Sequence, residues 1–359
     1  MHTDRLKIWA QPLLIAGILV MAVPGHAEMK KVAQSGLQFL KIGVGSQMAA
    51  QGEAGIAKVD DINALFWNPA GLALMQENQF LFTYNRWIAD IKQSAVAVGL
   101  NLGRWGNFGL SCVYMDYGEF YPTVRNPDDQ SLTLDAGFLE PGNVTGSDYF
   151  LDTDFKPLDV AVGIAYARQF TDRFWMGWHV RLVHENLGKG YIQRTDFDGD
   201  PLEAAKIVEN KLTNIATDFG VVYKPGVGGI RFAMAFQNFG PEMKYQHEEF
   251  PLPVTFRVGL TSDLSEAFHW KNPRHNLILS LDTIKPNDYT QRVHAGAEYI
   301  YHRILLLRGG YKFNYDSESF AAGFGLRYHV QNVWWSFDAS YTRTDRFTSP
   351  LRFSITGQF

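Results

Sequence analysis

Two adjacent carboxylates, Asp60 and Asp61, precede Trp67-Asn68-Pro69-Ala70-Gly71-Leu72-Ala73 in a stretch rich in Gly and Ala. Paired acids can hold a cation, share a proton or meet arginines, and Asn-Pro followed by Gly is turn chemistry. Pro69 fixes φ, and the Asn68 side chain can bond its own backbone. Candidate partners for the acids are the arginines at alternate positions of later segments, such as Arg257, Arg308 and Arg327. Catalytic patterns are missing. No Gly-x-Ser-x-Gly elbow is present, and His184 and His294 sit on separate segments without a Ser-His-Asp grouping. Asp196-Phe197-Asp198-Gly199-Asp200 spaces carboxylates as a calcium loop does, but Pro201 and Ile207 stand where the loop needs Gly and Glu. No metal site, cofactor or enzymatic activity is expected. The single cysteine, Cys112, reads as a small strand residue.

The elements that carry these residues are strands. Apolar side chains recur at every second position in Phe80–Tyr84, Val96–Leu100, Leu110–Tyr114 and Val160–Tyr166, and in Phe174–His184 and Phe219–Tyr223. The pattern continues through Ile230–Phe236, Val254–Leu260 and Leu277–Leu281, then in runs beginning near Val293, Leu305, Phe320, Val333 and Leu351. These make about fourteen strands of about ten residues, an even number that suits a transmembrane antiparallel β-barrel. In the last run Leu351, Phe353, Ile355 and Phe359 share one face while Arg352, Ser354 and Thr356 share the other. That is the form of a closing strand, apolar toward lipid and polar toward a lumen. The opposite faces carry Ala95, Ala97, Gly99, Asp159, Asp218, Arg231, Asp282, Arg292, His294, Glu298, Lys312, Asp338 and the three arginines named above. Small residues there leave room for a segment inside.

Composition agrees with a barrel. Hydrophobic residues are 46% of the chain and aromatics 14%, yet mean hydropathy is only −0.16. A barrel spreads its apolar residues one in two, and its aromatics form interfacial girdles. A net charge of −4 points to no nucleic-acid partner. Arg5 and Lys7 precede an apolar run, Ile8–Val23, and small residues at Gly25 and Ala27, which read as a signal peptide over 1–27. The expected organisation is a signal peptide (1–27), a lumenal hatch or plug (28–76) and a barrel (77–359) in a Gram-negative outer membrane. If the N-terminus starts in the periplasm, the long insertions Gly118–Pro157 and Asn186–Leu212 lie outside. The short turns at Gly103–Gly106, Phe170–Asp172 and Pro225–Gly228 then lie inside. Expected partners are outer-membrane lipid and lipopolysaccharide, and the machinery that assembles barrels.

The run from Gly43 to Ala73, above all Asp60-Asp61 with the Trp67–Ala73 motif, resembles the PorV/PorQ branch of the fatty-acid-transporter-like (FadL-like) barrels. Leu252–Gly259, His294–Tyr299, Leu307–Tyr311, Gly323–Leu326 and Arg352–Ser354 extend the likeness. Gln47, Gln51 and Asp338–Tyr341 depart from the pattern. The resemblance implies fourteen strands and a hatch built from Asp60, Asp61, Trp67, Asn68, Pro69 and Gly71. It also implies transport or secretion. PorV-like members capture secreted proteins with a C-terminal export domain for type IX secretion, here through loop aromatics such as Phe120, Tyr121, Phe138, Tyr191 and Phe197. The alternative is FadL-like passive transport of small hydrophobic molecules. No cluster of lumen-facing large apolar residues stands out to favour it.

Overall fold

The computed structural model describes residues 34–118, 123–125, 148–150, 156–192, 206–245, 248–270 and 274–359. The signal-peptide region, the acidic run at 196–200, and Phe120, Tyr121, Phe138 and Phe197 lie outside the described residues.

Fourteen antiparallel strands close into one barrel. They are β1 (Gln79–Arg86), β2 (Lys92–Asn101), β3 (Asn107–Asp116), β4 (Leu158–Thr171) and β5 (Phe174–Ile192). Then come β6 (Lys206–Tyr223), β7 (Ile230–Phe239), β8 (Thr255–Asp263), β9 (His275–Pro286) and β10 (Arg292–Tyr301). The last four are β11 (Leu305–Phe313), β12 (Glu318–Val330), β13 (Val333–Thr344) and β14 (Leu351–Gln358). Each strand pairs with its chain neighbours, and β1 pairs with β14 from Gln79↔Gln358 to Arg86↔Leu351. Asn78 and Phe359 exchange backbone hydrogen bonds of 2.9 and 3.1 Å just beyond that seam. Closure leaves no strand edge unpaired, which is what a sheet in hydrocarbon requires.

Alternation sets which face meets which solvent. Val96, Leu110, Ile164, Leu182, Phe324 and Phe353 are exposed on the outside, while Arg352, Ser354 and Thr356 on β14 are buried inside. Short turns gather at the end where residues 78 and 359 meet, called here the turn end; the longer connections lie at the loop end.

One expected loop is mostly strand. Asn186–Leu212 is not a free insertion, because β5 runs on to Ile192 and β6 begins at Lys206, pairing Ile192 with Lys206. The hairpin has a register shift between Asn186 and Lys189. Past the apolar belt neither face needs to be lipophilic, so the period-2 signal fades while the backbone ladder continues.

Residues 34–78 run inside the barrel, from one end to the other. Near the loop end Ser35 Oγ donates to Asp288 (2.7 Å), and Gly36 N donates to Pro251 O (3.2 Å). Midway, Ser46 N donates to Ser354 Oγ on β14 (2.9 Å), and Gly55 N donates to Asp282 on β9 (2.7 Å). At the turn end Asn101 Nδ2 on β2 donates to Met75 O (3.0 Å). Partners on β2, β9 and β14 surround the segment, so it lies within the closed sheet. Its own structure is short: helical turns at Gln38–Lys41, Ser46–Ala50, Ala64–Trp67 and Pro69–Leu74.

Candidate functional site

The Trp67–Ala73 turn is the best-fitted part of this inner segment. Asn68 Oδ1 accepts from Ala70 N (3.2 Å), capping the turn that begins at Pro69. Its Nδ2 donates to Ile56 O (3.1 Å) within the segment and to Val221 O (3.2 Å) on β6. Trp67 is fully buried, donates Nε1–H to Val44 O (2.8 Å) and lies under the Arg257 guanidinium, 5.1 Å from the ring centroid. The wall makes room for this turn with glycines. A Cβ on Gly220 would stand 1.9 Å from Asn68 Oδ1, and one on Gly177 would stand 2.4 Å from the Pro69 carbonyl.

Opposite these small residues, β8–β14 present charges, and two charges of the inner segment are locked into them. Glu53, at φ 60°, reaches Lys312 Nζ on β11 (2.9 Å) and lies 3.9 Å from Arg352 on β14. Lys58 Nζ meets Glu298 on β10 at 2.9 Å. Arg308 then bridges Glu298 and Asp338, each at 2.5 Å. All of these side chains are buried. An ion removed from such a set leaves its partner uncompensated in a dry site, so the set holds position strongly even where its net contribution to stability is small.

The acidic pair is placed differently from the sequence expectation. Asp60 is half exposed at the turn end and meets Arg231 of β7 at 3.1 Å, not Arg257, Arg308 or Arg327. Asp61 accepts from Asn63 N (2.9 Å) and Asn63 Nδ2 (3.0 Å), a local cap. Burial, and then the neighbouring Asp60, push the Asp61 carboxyl up from its ordinary value. Arg257 serves Trp67, Arg308 serves Glu298 and Asp338, and Arg327 lines a cavity at the turn end. Gly71 is needed because a Cβ there would meet Val59 O at 2.2 Å. Glu53 and Lys58 went unnoticed in the sequence; a lone Glu between Gly52 and Gly55 is the one signal that could have marked the first.

On its β3–β6 side the loop-end half of the lumen holds an apolar cluster, which the sequence reading did not show. Leu37, Phe39 and Val44 of the inner segment pack with Val113, Met115, Val183 and Leu212 of β3, β5 and β6. Met243 and Leu252 close it from the β7–β8 connection. Its walls come from three separate pieces of chain, so no single strand displays it. Tyr117 and Tyr245 hydrogen-bond Asp159 and Glu185 at its rim. A cavity of about 40 Å³ remains between Phe39, Ile42, Phe66, Trp67, Arg181 and Arg257. Pockets for small organic ligands run to about 300–1,000 Å³, so this cavity is too small to hold one as it stands. Larger cavities, about 750 and 510 Å³, open below the segment at the turn end.

His184 faces outward and bonds Thr213 Oγ1, while the buried His294 bonds the Tyr315 hydroxyl; the two do not converge. Cys112 is free on β3.

Solved structures with this architecture include the toluene transporter TbuX of Ralstonia pickettii, at TM-score 0.56 and 17% identity, covering 88% of this chain and 98% of that one. The two share a fold. A FadL homologue of Pseudomonas aeruginosa matches at TM-score 0.54 and 12% identity over 88% of this chain and 98% of its own. The Pseudomonas putida toluene transporter TodX matches at 0.51 and 14% over 88% and 97%. Identities this low carry the fold alone, a closed antiparallel barrel. No family model and no curated protein matches the sequence. The barrel fold is shared with these structures, while the PorV/PorQ branch suggested by the sequence motifs gains no support from the likenesses.

Proposed function

We propose that this FadL-like barrel passes small hydrophobic molecules across the outer membrane passively, with residues 34–78 acting as its hatch. The observation that carries the reading is the apolar cluster at the loop end, with Met243, Leu252 and Phe66 among its members, beside a cavity of about 40 Å³ that Gln93, Arg181 and Arg257 also line. A hydrophobe that packs against this cluster is favoured by about 25 cal/mol for each Å² of apolar surface it buries. The route below is shut by the charge-locked segment, so passage requires that segment to shift or partly unfold toward the turn-end cavities. The structures of similar fold include toluene transporters, which agrees with this chemistry.

The secretion role implied by the PorV/PorQ likeness takes second place. Four of the five loop aromatics it would use lie outside the described residues, and the fifth, Tyr191, is carried on β5. Uptake of radiolabelled toluene by cells with and without the protein tests the transport reading. Faster, non-saturating uptake with the protein supports it. Equal uptake, together with recovery of the barrel bound to a secreted protein, would replace it with the export role.

A further inference from the structure

Three arginines from three elements converge at the turn end of the lumen, below the inner segment. Arg231 stands near the start of β7, Arg303 in the β10–β11 turn and Arg327 on β12, and all three line one cavity of about 510 Å³. Arg303 and Arg327 also border an adjoining cavity of about 360 Å³. Of these three arginines Arg231 pairs with Asp60 at 3.1 Å, while Arg303 and Arg327 make no side-chain hydrogen bond or ion pair among the described residues. Gln76, Gln79 and Gln358 add amides to the wall, and Trp334 adds an aromatic face. The carboxylates of the cavity are Asp60 and Glu77, so three guanidinium groups face two acids.

A guanidinium offers planar, paired N–H donors that match the two oxygens of a carboxylate or phosphate. Set in a concave mouth with low-dielectric walls, like charges focus their field on the space between them. Arg303 and Arg327 supply such donors with no acceptor among the described residues, and Arg231 is shared with a carboxylate half open to solvent. We propose that this vestibule binds an oxyanion, a carboxylate or a phosphate, held by Arg303 and Arg327 and competing with Asp60 for Arg231. Asp60 lies two residues beyond Lys58, whose ammonium locks onto Glu298. An anion that draws Arg231 away therefore loosens the anchor of the inner segment nearest the turn end. Coupling of this kind is reciprocal, so removing the Asp60 charge must strengthen anion binding. The site stands independently of what the barrel transports.

Isothermal titration of the full-length barrel in neutral detergent at low salt, with inorganic phosphate and separately with benzoate, tests it. The expected result is saturable binding of at least one anion, weakened tenfold or more by Arg303→Gln with Arg327→Gln and tightened severalfold by Asp60→Asn. Arg104→Gln, in the β2–β3 turn away from this cavity, leaves the affinity unchanged. Preference for phosphate assigns the site to a headgroup or free phosphate, and preference for benzoate to an organic acid. The proposal is overturned by the absence of saturable binding of both anions, or by equal binding in the double variant. It is also overturned if Asp60→Asn, which leaves the arginines intact, fails to tighten binding. Toluene uptake plays no part in these readouts, so this result and the transport result stand or fall separately.

Discussion

Glu53 of the inner segment and Lys312 of β11 form a 2.9 Å ion pair in which both side chains are nearly inaccessible, at 8% and 2% exposure. Glu53 holds a left-handed backbone to reach it, between Gly52 at φ 65° and Gly55 at φ 124°. The backbone cost of that conformation is offset by the basic pair Lys312 and Arg352, so the pair acts as a positional lock.

Breaking the lock on one side is expected to be worse than removing it. Lys312→Met leaves Glu53 with Arg352 alone, 3.9 Å away, and takes from Glu318 its 2.5 Å partner, and should cost about 3–5 kcal/mol of segment anchorage, while Glu53→Gln added to Lys312→Met should recover the part of that loss that belongs to Glu53. Mass-resolved hydrogen exchange over residues 46–58 reads the difference. Equal protection in the single variant and the wild type would show that the pair holds nothing.

Gly177 and Gly220 should tolerate no side chain. Alanine at either position drives a methyl group into the Pro69 carbonyl or the Asn68 amide. Displacing the turn costs Asn68 its bonds to Ile56 and Val221, at about 1–3 kcal/mol for each buried group left unsatisfied. The expected outcome is faster proteolysis within residues 34–78 while the barrel keeps its heat-modifiable migration. Val221→Ala, whose side chain faces away from the turn, should leave proteolysis unchanged.

The start of the segment should loosen in acid. Burial opposes ionisation of Asp288, but hydrogen bonds from Lys41, Ser35 and Gln38 outweigh it and hold its carboxyl below the ordinary value. Lys41 itself is lowered, because burial costs its ammonium more than Asp288 returns. The stabilising share is therefore that of Asp288. A depressed acid contributes above its unfolded pKa of about 4, and that contribution is lost as pH falls through the lower folded value. A nitroxide at the exposed Gln34, in a Cys112→Ser background, should gain mobility below about pH 4. Asp288→Asn should produce the same mobility at pH 7.

The apolar cluster should respond to volume and charge in opposite directions. Phe39→Ala enlarges the 40 Å³ cavity beside it and should strengthen binding of a benzene-sized hydrophobe. Val113→Asp puts an unpaired carboxylate on the same wall and should weaken binding tenfold or more. Equilibrium dialysis with labelled toluene measures both.

Strand faces were legible because lipid and lumen impose opposite demands on neighbouring residues. Phe80, Phe82 and Tyr84 point outward and Leu81 and Thr83 inward, as the alternation required. The β5–β6 hairpin beyond the belt was not legible, since outside the membrane that demand disappears. Arg257 and Arg308 are buried and Arg327 lines the turn-end cavity, but the partners expected for them, Asp60 and Asp61, are not the ones they meet. Partner choice depends on stagger around the barrel, which places Glu298 against Arg308 and brings Arg231 to Asp60. The apolar cluster was hidden because Phe39, Met115 and Leu252 meet only after three distant pieces of chain come together.

Movement of the inner segment is the central claim, and a reversible tether tests it most directly. Ser46 Oγ on the segment and Ser354 Oγ on β14 are 2.6 Å apart, within reach of a disulfide when both are cysteine. Toluene uptake by cells expressing Ser46→Cys with Ser354→Cys, in a Cys112→Ser background, is measured before and after reductant. The account predicts uptake at the level of cells lacking the protein when oxidised and near wild-type uptake when reduced. Full uptake through the oxidised, verified disulfide would contradict it, since the hydrophobe would then cross without the segment leaving the wall.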